Sequence, residues 1–127
     1  MVALHSYKSA VRSSAVMLLT VDGIHPADFM TGGRALQRIW LTLTYHGYHV
    51  QPMAGPPLFF MRILLGKGSE FSPGHLKMLE SLQERYFELF PGLKYDRGQV
   101  MLLRIGKGRP IKHLTRRKRP ENFLGKA

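Results

Sequence analysis

The spacing of apolar residues changes several times along the chain, and each change predicts an element. Ala15-Val-Met-Leu-Leu-Thr-Val21 is a short apolar run closed by Asp22-Gly23, which predicts a buried strand and a turn. From Asp28 to His46 the period lengthens. Leu36, Ile39, Trp40 and Leu43 fall at i, i+3, i+4 and i+7, the apolar face of a helix, with Arg34, Gln37 and Arg38 off it. Pro26 suits a first helical turn and Gly47 a helix stop. Gly32-Gly33 weakens the start of this helix and predicts either irregular first turns or close approach by another backbone.

Tyr48 to Met53 reads as a short extended stretch, and Ala54-Gly-Pro-Pro57 as a break in regular structure. Leu58 to Leu65 predicts a short buried helix, followed by a Gly66-Lys-Gly68 loop. Ser72-Pro73 opens another helix, with Ser as cap and Pro in the first turn. Its apolar stripe is Leu76, Leu79, Leu82 or Gln83, Tyr86 and Phe90, and Glu80, Glu84 and Glu88 form a solvated edge. Pro91-Gly92 ends it and Asp96-Arg97-Gly98 is a turn. Gln99-Val-Met-Leu-Leu-Arg-Ile105 is the clearest strand, and Gly106-Lys-Gly-Arg-Pro110 closes it. The order is strand, helix, short strand, helix, helix, strand. It predicts an α+β domain over residues 1–127 with a small mixed sheet packed by helices and a basic tail at 106–127. Two or three strands make a small sheet, which points to a missing partner chain or N-terminal half.

Composition narrows the setting. The 127 residues suffice for one domain, and 44% apolar content excludes disorder throughout. The absence of cysteine removes disulfides, thiolate metal sites and thiol nucleophiles, and fits a reducing, cytoplasmic setting. No stretch approaches the roughly 20 apolar residues of a membrane span, since Arg62 interrupts the longest run. The net charge of +11 is concentrated. Residues 104–127 carry nine Lys/Arg and one acid, while residues 1–103 carry ten Lys/Arg and seven acids. Such a tail concentrates anionic partners: nucleic acid, acidic membrane or a phosphorylated ligand.

Most local constellations read as ordinary structure. Gly66-Lys-Gly68 and Gly106-Lys-Gly-Arg lack the spacing of a nucleotide loop and read as turns. His46 and His49 lack a third metal ligand nearby. Ser13 and Ser14 are not in a nucleophile elbow, and the glutamates lie on one helix edge instead of facing each other across a cleft. No catalytic side chain stands out, so any chemistry belongs to a cofactor. Gln51-Pro-Met-Ala-Gly55 is an extended apolar segment whose backbone could line the rim of a planar heteroaromatic ring; its plainer reading is a tight strand-to-helix connection. Arg117, Lys118 and Arg119 belong to a cluster able to hold phosphate.

Taken in order, Gly33-Arg-Ala-Leu-Gln-Arg-Ile-Trp-Leu41, Tyr45-His-Gly-Tyr48, Gln51-Pro-Met53, Val100-Met-Leu-Leu-Arg-Ile-Gly106 and Arg117-Lys-Arg-Pro120 resemble the C-terminal half of the nitroreductase-like FMN flavoproteins. The resemblance runs from about Ser14 to Leu124. It implies an intertwined homodimer with FMN at the interface, Gln51, Pro52, Met53, Ala54 and Gly55 beside the flavin ring, and Arg117, Lys118 and Arg119 near its phosphate. The helix from Gly33 to His46 would serve the core and the dimer contact. The flavin would pass hydride from NAD(P)H to a nitroaromatic, quinone or similar acceptor. The family's N-terminal half, whose Arg-Arg-Ser-type stretch grips the phosphate, has no counterpart in residues 1 to 13, so a complementing half is an expected partner. Two rival readings remain. One is a small basic module holding nucleic acid or another polyanion through residues 104–119, disfavoured by the scarcity of stacking aromatics in the tail. The other is a non-catalytic relic that dimerises through the Trp40 helix.

Overall fold

The computed structural model describes residues 7, 8 and 10–108. The elements are β1 (Ala15–Val21), α1 (Pro26–Tyr45), β2 (His49–Met53), α2 (Gly55–Gly66), α3 (Pro73–Glu88) and β3 (Gly98–Gly106). Residues 7, 8, 10 and 11 are also helical.

The three strands lie in the order β1-β3-β2. β3 pairs antiparallel with both neighbours. The expected mixed sheet is therefore corrected: every pairing is antiparallel. β1 and β2 do run the same way, as the helix between them suggests, but β3 separates them. The register sets Met17 opposite Leu103 and Leu18 opposite Leu102 on one side of β3. On the other side Pro52 faces Leu103 and Gln51 faces Arg104. Pro52 is tolerated because β2 is an edge strand and need not donate on both sides. A register shift between Leu19 and Thr20 bends the β1 ladder near Val100.

Leu102 and Leu103 are adjacent in β3, so they point to opposite faces. Leu102 is 6% exposed and Leu103 fully buried. The sheet is thus covered on both sides at that point, which is why β3 reads as a continuous apolar run instead of an alternation. α1 lies against all three strands and α2 against β3, with α3 packed on α2. Gly32 is the buried residue of α1. A Cβ there would stand 2.5 Å from Val100 and 3.2 Å from Val21. The close approach expected at the Gly32-Gly33 pair is real, but it is made by side chains, and Gly33 meets nothing within 4 Å.

The helix expected at 58–65 begins earlier, at Gly55, because Pro56 and Pro57 occupy a first turn whose N–H groups need no partner. It is also only partly buried. Pro57, Phe60 and Met61 are covered, while Leu58, Phe59 and Leu65 are exposed. In α3, Ser72 caps as expected, with its hydroxyl accepting from the His75 N–H, and Leu79 and Tyr86 reach the core. Tyr86 stacks at 4.4 Å against Phe60 and at 5.4 Å, edge on, against Phe90. Its hydroxyl donates to Gln99 Oε1 at 2.9 Å. The Gln99 N–H in turn donates to Met61 Sδ at 3.4 Å. This contact carries a buried amide into the core with its acceptor satisfied.

Leu103→Ala removes a side chain with no room to relax, and should cost about 2–5 kcal/mol in denaturant unfolding. Burial pushes the Tyr86 hydroxyl from 10.0 up to about 12. The unfolded chain therefore releases this proton first as pH rises, so the stabilisation is complete below pH 10 and is lost toward pH 12. Unfolding midpoints measured across that window should fall, and the Tyr86→Phe variant should show a shallower fall.

Candidate functional site

Two concavities lie at opposite ends of the segment Gln51–Gly55. Gln51, Pro52 and Met53 are the last residues of β2, Ala54 caps α2 and Gly55 begins it. One side of β2 is engaged by β3, so half of its backbone groups face outward. Gln51, Pro52 and Met53 thus lie on an outer strand of the described sheet, but the extended segment expected through Gly55 is corrected: Ala54 and Gly55 already turn into α2, because Pro56 and Pro57 favour its first turn. Arg117, Lys118 and Arg119 lie outside the described residues.

The first concavity is an apolar cleft of about 620 Å³ whose walls include Phe29, Ala54, Leu58, Met61, Phe71 and Val100. That volume is in the range of small-molecule sites, roughly 300–1,000 Å³. Phe71 meets Phe59 edge on at 5.9 Å and braces the loop behind α2. Across the cleft mouth Arg62 pairs with Glu70 at 3.2 Å, both well exposed. The cleft exists because α2 turns away from β2 at Ala54 and the 67–71 loop folds back beside it. Lys67 and Gly68 have positive φ, 49° and 67°, and the Gly68 N–H donates to the Arg62 carbonyl. Gly66-Lys-Gly68 is accordingly a helix stop, as its plainer reading holds.

The second concavity, about 430 Å³, sits where β3 ends. Arg12, His49, Gln51, Arg104, Lys107 and Gly108 form its wall, with no carboxylate among the lining residues. Arg104 and Gln51 face each other across the β2–β3 ladder, and the Arg104 guanidinium donates to Gln51 Oε1. Lys107 Nζ lies 5.6 Å from the centre of the Tyr48 ring. The Ser14 N–H donates to the Ile105 carbonyl at 2.9 Å, which brings Arg12 to the same end of the sheet. A Cβ at Gly108 would stand 2.9 Å from the His49 ring, so the loop after β3 lies directly on that imidazole. Arg104 and Lys107 fall in the 104–119 stretch of the polyanion reading, while Arg12 was legible in the sequence only as a contribution to net charge. The available signal was their placement just before one strand, within another and just after it.

His46 caps the end of α1 and His49 opens β2. Among the described residues no group of three or more metal-ligating side chains gathers anywhere. Among the described residues, too, no helix is long and apolar enough to cross a membrane.

No family model and no solved structure matches the chain. It is 33% identical over 107 residues to the uncharacterized protein MT1398 of Mycobacterium tuberculosis (strain CDC 1551 / Oshkosh). The match covers 84% of this chain and 14% of that protein. The chain thus spans about one seventh of the curated relative it matches.

The Gln51–Arg104 contact is exposed on the Gln51 side, so it orients a side chain more than it holds the fold. Gln51→Leu should change the thermal unfolding free energy by less than about 1 kcal/mol. A larger loss in calorimetry would make the pair a structural one.

Proposed function

We propose that this chain is the C-terminal portion of a nitroreductase-like, FMN-dependent NAD(P)H oxidoreductase, working as a homodimer or with a complementing N-terminal half. The observation that carries the reading is the position of Gln51–Gly55. Its first three residues belong to an outer strand whose other side pairs with β3, and it turns into α2 at an apolar cleft on whose wall Ala54 stands. A flat ring entering there would rest on apolar walls, with its polar rim against main-chain N–H and C=O groups. The residues present therefore fit the ring end of a flavin. Arg117, Lys118 and Arg119 would meet its phosphate, by the resemblance alone.

The flavin, when bound, would take hydride from NAD(P)H and hand it to a nitroaromatic, quinone or similar acceptor. The chain's own contribution is binding and orientation. Gly55 offers no side chain that could block close approach of a ring to the backbone. Met61, Leu58 and Phe71 would exclude water from one flank of the cleft. Dimerisation has support in the apolar groups that α1 leaves uncovered: Met30, Leu41 and Tyr45 are 72%, 63% and 87% exposed, and Trp40 is exposed beside them.

The test is to purify the chain alone and with the N-terminal half supplied, and to read flavin absorbance in the visible range. The expected result is stoichiometric FMN in the complemented preparation. Absence of flavin from both would remove the reading. A second measurement concerns Gly55. Its added Cβ would meet only Phe59, at an ordinary 3.8 Å, so Gly55→Ala should fold normally. It should nonetheless weaken FMN on the order of tenfold, equivalent to about 1.4 kcal/mol, by lifting the ring off the backbone.

A further inference from the structure

We propose that the basic concavity at the end of β3 is a binding site for the phosphate of a small phosphomonoester, held by Arg104, Arg12 and Lys107. This inference does not rest on the flavin reading, which places its phosphate at Arg117, Lys118 and Arg119.

Three observations carry it. First, three cations from separate parts of the chain line one concavity of about 430 Å³, and no acid is among its described lining residues. The ion pairs among the described residues are Arg62–Glu70 and Arg97–Asp22, so none of the three cations pairs with a described carboxylate. Gathering like charges costs energy in the empty protein, and a dianion offsets that cost. Second, Arg104 is oriented. Gln51 Oε1 accepts from one guanidinium nitrogen, which leaves further N–H donors of the planar fork to grip two oxygens at once. Third, Lys107 and Gly108 belong to Gly106-Lys-Gly108, a loop lying on His49 that leaves β3 at the rim of the concavity. The Lys107 ammonium is a mobile point charge suited to the remaining oxygen.

The geometry favours a small molecule over nucleic acid. Arg12, Arg104 and Lys107 converge in one concavity instead of following one another along a single strand or helix. The nearby aromatic ring, Tyr48, has Lys107 above it instead of open space for a base. Phosphate is favoured over carboxylate because its two charges and tetrahedral oxygens can be shared among donors from three directions.

The experiment is a ¹H–¹⁵N NMR titration of the full 127-residue chain at constant ionic strength. The probes are inorganic phosphate, adenosine monophosphate, acetate, chloride and a short DNA oligonucleotide. The expected result is a saturable shift at residues 49, 51 and 104–108 with phosphate and with the nucleotide, tighter for the nucleotide, and no saturation with acetate or chloride. Arg104→Gln and Lys107→Ala should each weaken phosphate by about tenfold or more, whereas Arg38→Ala, on the exposed surface of α1, should leave it unchanged. Unchanged dispersion of the remaining peaks shows that a variant is folded. Equal shifts with chloride, or phosphate binding indifferent to both pocket variants, would overturn the site. So would oligonucleotide binding that is much tighter than the nucleotide's and collapses with salt, since that describes a polyanion surface.

Discussion

The two hydrogen-bonded ladders of β3 fix where every other group in the described chain can stand. A strand with a neighbour on each side has its backbone polar groups satisfied in place, so it can be buried on both faces, and Leu102 and Leu103 are. The helices then arrange themselves around it. Val100 needs a glycine beneath it in α1, and Gln99 needs the hydroxyl of Tyr86 and the sulfur of Met61. At its far end the same strand delivers Arg104 opposite Gln51 and releases the chain through Lys107. The core and the basic concavity are thus two ends of one element.

Packing fades quickly away from that strand. Among the described residues the buried apolar side chains are Pro57, Phe60, Met61, Leu79, Tyr86, Leu102 and Leu103, which is a thin core for three helices and a sheet. The outer faces of those helices keep large apolar groups in water, among them Leu41 and Tyr45 on α1 and Leu89 just past α3. Where such groups form one patch they mark a protein or membrane contact, a ligand groove or an aggregation-prone face.

The order and type of the elements were readable from hydrophobic period and from Gly, Pro and Ser punctuation, since these are local properties. Ser72-Pro73, the α1 stripe and the β3 run each carry their own signal. Strand pairing was not readable. Nothing in Val16–Leu19 or Val100–Leu103 records that they will lie antiparallel, because register is decided by both partners and by the helices that cover them. The polar contacts were hidden for the same reason: Tyr86 reads as one more stripe residue and Gln99 as a strand opening. At the candidate sites, the strand-to-helix turn at Ala54 was legible as a break, while the gathering of Arg12, Arg104 and Lys107 depends on folding residues from both ends of the described chain onto one end of the sheet.

That sheet also contains no hairpin. Of its three strands, the two that come first in the chain never touch, and the one that joins them is made last. A ribosome extending this chain therefore exposes two edge strands and three helices before any ladder hydrogen bond can close. Folding must wait for distant partners, which makes it slow relative to local-contact folds and lengthens the interval in which Ala15–Val21 stands open to other strands. The period of greatest danger to the protein is set by strand order, before any question of how stable the finished fold is.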